Sequence, residues 1–255
     1  MSIEDAVGPI LATVLLLGML LEAIWPREEQ PRRRLWRLVG VAFFVLNGFI
    51  NVVFPLLLPV EWVANHSLIP GYKLGVTGGF AFGFLVWTFV YYWYHRSEHR
   101  FDVMWRGLHQ LHHSPRRVDA AGFAFAHPFD VMAQTILTLA VLLGALGLDP
   151  AAAALVGLYA AVAELVQHLN IRTPSWLEWF MQRPEAHQRH HEFGQHAGNY
   201  ADWPVWDKLL GTFRAPAQAP LEYGFSESAS RRFGAMLMCL DVNKSEPPIV
   251  RHERL

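Results

Sequence analysis

Apolar positions in this chain run in unbroken blocks and do not recur on one face. Three early blocks, Val7 to Trp25, Leu38 to Val60 and Leu74 to Tyr94, each reach the roughly 20 residues a helix needs to cross a hydrocarbon layer. Two more, Phe129 to Leu148 and Ala151 to Leu169, are parted only by Asp149 and Pro150, a break that predicts a tight helical hairpin. No period-2 run predicts a strand, and no repeat of 20 to 50 residues occurs. The expected fold is all-α, an integral membrane bundle of about four to five transmembrane helices with the hairpin last.

Cationic residues give the bundle a direction, because Lys and Arg collect on the cytoplasmic side of short loops. Arg27, Arg32, Arg33, Arg34 and Arg37 lie between the first two blocks, and Arg96, Arg100, Arg106, Arg116 and Arg117 follow the third. Every other Lys and Arg except Lys73 follows Leu169. The N-terminus is therefore expected outside, with segments 95–128 and 170–255 in the cytoplasm. Glu4 and Asp5 precede the first block, and no small-x-small site follows it, so it is expected to stay attached as an anchor. From Ala215 onward, Pro216, Pro220, Pro247 and Pro248 among Ser, Glu and Arg predict a lightly structured tail. The expected division is 1–73 as N-terminal transmembrane helices, 74–215 as the catalytic unit and 216–255 as a polar tail.

Composition sharpens this picture. The 255 residues are 53% hydrophobic and only 17% charged, and the mean hydropathy is +0.19. A soluble domain carries closer to a quarter charged residues, so the balance fits a chain that meets lipid. The single cysteine, Cys239, excludes an internal disulfide, a zinc ribbon and an iron–sulfur cluster. A net charge of −1 gives no pull toward nucleic acid. Any metal must be held by His or carboxylate.

Eight of the 13 histidines fall into three spaced groups, His95-x3-His99, His109-x2-His112-His113 and His187-x2-His190-His191. At this histidine content, chance gives an H-x-x-H-H group about 0.03 times per chain, and here there are two. On a helix, positions i, i+3 and i+4 share a face, so each H-x-x-H-H group is expected to aim three imidazoles at one point. Together the groups supply enough nitrogen for two metals. His168, at the end of the fifth block, is a ninth candidate. Glu164 lies one turn before it as a further ligand or an acceptor behind the ligands. His127 and His196 are expected in supporting roles, and His66 and His252 away from any metal. Such nitrogen-rich sites suit iron, copper, zinc or nickel.

The order H-x-x-x-H, H-x-x-H-H, hairpin, H-x-x-H-H resembles the fatty acid hydroxylase superfamily, also called the sterol desaturase family, of integral membrane di-iron enzymes. The flanks match as well: Tyr92-Trp93-Tyr94-His95-Arg96, Trp105 before His109, His127-Pro128, Gln167-His168 with Asn170, Asn199-Tyr200, Trp206-Asp207 and Gly211-Thr212. The resemblance spans roughly residues 75 to 215. This chain has Glu164 where members that hydroxylate fatty acyl chains carry a second His, and it has Phe125 and Asp130 where the family often has Arg and Glu.

The resemblance implies two iron ions held by His95, His99, His109, His112, His113, His168, His187, His190 and His191. It also implies O₂-dependent hydroxylation or desaturation of a C–H bond in a fatty acyl chain, sterol or carotenoid, with hydroxylation preferred. Asp207 and Asn199 are expected to orient imidazoles. No dinucleotide fingerprint is present, since Gly78, Gly79 and Gly83 lie inside a span and predict close helix packing. Electrons are therefore expected from a separate ferredoxin or cytochrome-type donor; the basic loops of Arg100, Arg106, Arg116 and Arg117 offer it a dock, though such arginines more often set topology or contact lipid headgroups. The expected location is a bacterial inner membrane.

Tyr91 to Tyr94, Trp176, Trp179 and Phe180 are expected in the interfacial aromatic belt, Trp203 and Trp206 buried beneath the catalytic unit, and Asn47 and Asn51 in interhelical hydrogen bonds. Two rival readings use the same histidines. A membrane-embedded zinc hydrolase would act without O₂ or reductant, and a metal transporter or sensor would need polar ligands through the depth of the spans.

Overall fold

A computed structural model of the chain describes residues 3–216 and 222–243. The fold is all-α; among the described residues the one β feature is an isolated bridge between Glu192 and Tyr223. Helices α1 (Ile3–Ile24) and α2 (Trp36–Val53) are followed by a short α3 (Val60–Asn65) and the long α4 (Gly75–Arg100). A brief α5 (Asp102–Met104) leads into a π-helical turn, Trp105–His109. The hairpin is α6 (Pro128–Thr138), continued as a π-helix over Leu139–Ala145, and α7 (Pro150–Gln167). Short helices α8 (Pro184–His190), α9 (Val205–Leu209), α10 (Glu227–Ser230) and α11 (Phe233–Leu237) complete the fold.

Among the described residues, five stretches are long and apolar enough to cross a membrane: Asp5–Ile24, Trp36–Leu57, Gly71–Arg100, Pro128–Ala145 and Pro150–Gln167. Their outer faces leave Leu16, Leu17, Leu20, Val45, Phe49 and Val52 exposed, an apolar belt that water would penalise and lipid accepts. Both hairpin helices start with proline at the first helical position, where its missing N–H is no loss. Each has a cap: Nδ1 of His127 accepts the Phe129 N–H at 3.1 Å, and Oδ1 of Asp149 accepts that of Ala151 at 2.9 Å.

Small residues bring α4 and α7 together, with Gly79 against Ala152 and Gly83 against Leu148 and Val156. Asn51 accepts from Thr135 on α6 at 2.9 Å, an interhelical bond as expected, while Asn47 donates to the Ala124 carbonyl in the loop before α6. At the end of the bundle away from the histidines, the loop before α4 donates backbone N–H groups from Leu68, Ile69, Gly71 and Tyr72 to Gly144–Gly147 at the hairpin tip.

At about 1.5 Å per residue, the 26 residues of α4 span about 39 Å, more than the roughly 30 Å hydrocarbon thickness. Its last turns therefore project into the polar cap and carry His95 and His99.

Two expectations change in that cap. Tyr91 and Tyr92 are buried, unlike belt residues. Tyr92 lies under the histidine-bearing loops, its hydroxyl 3.2 Å from Thr212, and Tyr94 donates to Asp130 at 2.8 Å. Trp176, Trp179 and Phe180 remain exposed. Trp203 and Trp206 are half-buried, and Trp206 donates to Thr88 of α4.

The described part of the tail, 222–243, is not lightly structured. Tyr223, Phe225, Ala229, Met236 and Val242 are buried, and several of them join Trp36, Trp105, Leu111 and Phe125 in one core. Gln110 pins the segment at both Leu240 and Val242. Pro220, Pro247, Pro248 and His252 lie outside the described residues.

Candidate metal centre

All nine candidate histidines are buried in the cap, and they sort into two adjacent groups. His95, His99, His109, His113 and His190 form one; His112, His168, His187 and His191 form the other, with the ligand atoms of each group within 4.8 Å of one another. The H-x-x-H-H groups thus do not each aim at one point, as the spacing alone had predicted. At about 100° per residue, i and i+4 lie about 40° apart, while i+3 falls on the far side of i. Accordingly His109 and His113 enter the first group and His112 the second, and His187 and His191 enter the second and His190 the first. The His113 and His191 rings stack at 4.1 Å where the groups meet.

In both groups the Nε2 atoms face inward. In the five-histidine group, Nε2 of His95 lies 3.0 Å from that of His109 and 3.3 Å from that of His99, and His109 and His113 approach at 3.0 Å. In the four-histidine group, His112 and His168 approach at 3.0 Å, His168 and His187 at 3.3 Å, and His187 and His191 at 3.1 Å.

Backbone carbonyls fix several tautomers from behind. A carbonyl only accepts, so Nδ1–H must donate where His95 meets Tyr200 O at 2.7 Å, His168 meets Glu164 O at 2.6 Å and His190 meets Gly198 O at 2.7 Å. Each of these neutral rings then presents a bare lone pair at Nε2. His196 extends the pattern: its Nε2–H donates to Gly224 O at 3.1 Å, its Nδ1 accepts from His113 Nδ1–H at 2.9 Å, and His113 Nε2 is left bare.

Protonation does not relieve these facing lone pairs. Burial pushes His109, His112, His113, His187, His190 and His191 well below the ordinary imidazole value, and neighbouring imidazoles add to the effect. Burial likewise lowers His168 to about 4, against an opposing bond to the Glu164 carbonyl. Lone pairs about 3 Å apart repel unless a cation lies between them. Nitrogens bonded at about 2.1 Å to one ion stand about 3 Å apart when the bonds are at right angles. The donor set therefore fits two metal ions, one per group.

The supporting residues act mostly through the backbone. Asp207 accepts the N–H groups of Tyr200 and Ala201 and the Thr212 hydroxyl, so it holds the loop whose Tyr200 carbonyl anchors His95. Asn199, at φ 55°, ties Ala186 on α8 to Arg214. Glu164 serves through its carbonyl, and its side chain is not among the four-histidine group. His127 caps α6 and stands outside both groups, and His66 stacks on Trp62 in the exposed loop after α3.

Sequence reasoning missed Glu98. Its carboxylate is fully buried, with Oε2 3.4 Å from Nδ1 of His109, and Glu98, His109 and Asp130 bring their ligand atoms within 4.8 Å. The available signal was a carboxylate inside the H-x-x-x-H stretch on a helix already committed to the metal groups.

Apolar helices long enough to span a membrane, capped by two buried all-imidazole groups able to hold metal, define an integral membrane protein with a candidate metal centre. The fatty acid hydroxylase family profile matches residues 80–212, from the second turn of α4 to the loop after α9. The chain belongs to the fatty acid hydroxylase family. It is 29% identical to the alkylglycerol monooxygenase of Homo sapiens over 136 residues, 52% of this chain and 30% of that protein. The Xenopus tropicalis alkylglycerol monooxygenase is 29% identical over 164 residues, covering 56% and 32%. The ornithine lipid hydroxylase OlsE of Rhizobium tropici is 29% identical over 161 residues, covering 61% and 48%. The chain thus spans between 30% and 48% of the length of these relatives. No solved structure gives a significant match.

Proposed function

We propose that the protein is a di-iron monooxygenase that hydroxylates a C–H bond of a membrane lipid. The observation that carries this reading is the division of nine inward-facing Nε2 atoms into two adjacent buried groups, with the tautomers of His95, His168 and His190 set by carbonyls behind them. Bound there, two iron ions would supply O₂ activation for oxidising an unactivated C–H bond, which zinc has no redox chemistry to do. The names of the relatives, two monooxygenases and a hydroxylase, favour hydroxylation over desaturation.

The protein's own residues hold and shield this centre. His95, His99, His109, His113 and His190 would bind one ion, and His112, His168, His187 and His191 the other. Tyr200, Glu164 and Gly198 fix imidazole orientation through their carbonyls, and Asp207 and Asn199 fix the loops that carry two of them. Burial of the cap excludes bulk water, which protects an oxidising centre from side reactions. An apolar chain entering between the spans would reach the groups from the bilayer side.

The two electrons that O₂ reduction requires beyond the substrate's own would come from a separate ferredoxin or cytochrome-type donor. The distribution of cationic residues supports a histidine side facing the cytoplasm, and a bacterial inner membrane is the location we infer. Residues 74–215 form the catalytic unit in this reading.

Metal analysis of the full-length protein from iron-supplemented cells tests the proposal, together with lipid analysis of membranes incubated with O₂ and a reductant. About two iron per chain and an O₂- and reductant-dependent lipid product 16 mass units heavier are expected. Zinc with product formation that ignores O₂ would replace the oxygenase by a hydrolase.

A further inference from the structure

The described surface holds a basic cleft that the metal centre does not use. It has a volume of about 250 Å³ and lies on the histidine side, where the α1–α2 loop meets the segment after His113 and helix α10. Arg32, Arg33, Arg34, Arg116, Arg117 and Arg231 line it, and Glu227 is the one carboxylate among its lining residues. Glu227 accepts from Arg116 at 2.6 Å through one oxygen and from Arg231 at 2.6 Å through the other. Arg117 pairs with Asp119 and also donates to the Pro31 carbonyl at 3.0 Å, which closes one wall. Among the described residues, no carboxylate pairs with Arg32, Arg33 or Arg34. Partial burial pulls the Arg33 guanidinium below its ordinary value, with the Arg117 charge adding to the pull and Glu227 opposing it.

Crowding this many guanidinium groups around one carboxylate leaves a concave positive surface. Phosphate suits such a surface, because a guanidinium offers two parallel N–H donors to its oxygens. The cleft is pocket-sized, which suits a small anionic group better than a protein face.

Its position points to lipid as the source of that anion. Arg33 stands three residues before Trp36, the first residue of the spanning helix α2, with its guanidinium carbon 5.2 Å from the centre of that indole. Arg117 covers the same ring at 5.8 Å, and the indole N–H donates to Asp119 at 2.8 Å. Trp36 is itself buried in the core, but it opens the span, so the arginines just before it and stacked on its ring stand at headgroup depth. We propose that this cleft binds the phosphate of an anionic phospholipid headgroup. Arg116 and Arg117 follow His113 by three and four residues, and Ser230 on the opposite wall donates to the Ser114 carbonyl at 2.7 Å. A bound headgroup would clamp the backbone that carries His112 and His113.

The test titrates the full-length, detergent-solubilised protein with dihexanoylphosphatidylglycerol, dihexanoylphosphatidylcholine and glycerol phosphate, reading binding by calorimetry. Saturable one-to-one binding of the phosphatidylglycerol is expected, at least tenfold tighter than of either other ligand. An Arg33→Gln/Arg34→Gln double variant and an Arg231→Gln variant should each weaken it at least fivefold. Arg106→Gln, whose side chain pairs with Asp102 outside the cleft, should bind as wild type does. A melting transition and metal content like those of the wild type confirm that each variant is folded.

Glycerol phosphate binding as tightly as the lipid would assign the cleft to a soluble phosphate and overturn the proposal. So would equal binding of the zwitterionic lipid, or equal losses in Arg106→Gln and the cleft variants. Absence of lipid binding, with salt-sensitive capture of an acidic ferredoxin lost in the same cleft variants, would give the cleft to a protein partner and also overturn it.

Discussion

Oε2 of Glu98 lies 3.4 Å from Nδ1 of His109, the atom opposite the ring nitrogen that His109 turns toward His95 and His113. A carboxylate behind a ligating imidazole fixes the ring's tautomer and raises its basicity, and losing such a partner typically costs 10- to 100-fold in metal affinity. Glu98→Gln keeps the side chain's shape but can no longer ionise beside a bound cation. We expect the five-histidine group to lose at least about tenfold in metal affinity, while the four-histidine group, which Glu98 does not face, keeps its own. Competition with graded chelators measures both, and an unchanged first group would show that Glu98 plays no part in holding His109.

The sorting of the two H-x-x-H-H stretches makes a second prediction, about stoichiometry. His190 belongs to the five-histidine group and His187, one turn earlier, to the four-histidine group. His190→Ala should therefore retain one metal per chain, in the group of His112, His168, His187 and His191. His168→Ala should retain one in the other group. Elemental analysis reads the ratio of metal to protein, and loss of both ions in either variant would mean that the groups are one cooperative site. Either variant should abolish turnover, since the proposed chemistry needs both ions.

Much of this was legible in the chain, and the failures have physical causes. The spans were readable because unbroken apolar blocks of about 20 residues have few alternatives, and the Asp149-Pro150 break marked the hairpin because Asp caps and Pro starts a helix. Eight of the nine histidines were readable from spacing, and His168 from its place as an ionisable residue at the end of an apolar block. Their division between two groups required the phase of the helix as well, for i+3 and i+4 lie on opposite sides of i. Glu98 was missed because a lone carboxylate in a charged stretch reads as solvated. Packing of Phe225, Met236 and Val242 was missed because these apolar residues are sparse and find their partners, Trp36, Trp105 and Leu111, more than a hundred residues away. Tyr92 read as an interfacial aromatic because its burial depends on loops that come 120 residues later.

Gly198 is the backbone position on which His190 depends. It adopts φ +73°, and a Cβ there would stand 2.8 Å from the Thr212 carbonyl oxygen and 2.7 Å from Cδ of Arg214. A left-handed conformation in a residue with a side chain costs about 1–3 kcal/mol, before the clash is counted. Gly198→Ala should therefore lower the melting temperature, and because Gly198 O anchors His190 Nδ1, it should also weaken metal binding in the five-histidine group. A variant with wild-type stability and full metal content would show that the loop shifts freely and that the carbonyl does not set the ring.

Asp202 contributes a pH dependence outside the imidazoles. Burial raises its carboxyl to about 7, the nearby Asp207 charge adds to the rise, and the hydrogen bond from Gln167 at 3.1 Å opposes it. In the unfolded chain the same group titrates near 3.9. Because the folded value is the higher one, the fold favours the protonated acid. That contribution to stability is fully present below about pH 4 and is lost as pH rises through 7. The membrane-inserted protein should then melt at a lower temperature at pH 8 than at pH 5.5. Asp202→Asn keeps an acceptor for Gln167 without a charge, so its melting temperature should vary less across that interval and exceed that of the wild type at pH 8. Melting curves of the two proteins in matched buffers decide the point, and parallel slopes would place the ionisation elsewhere.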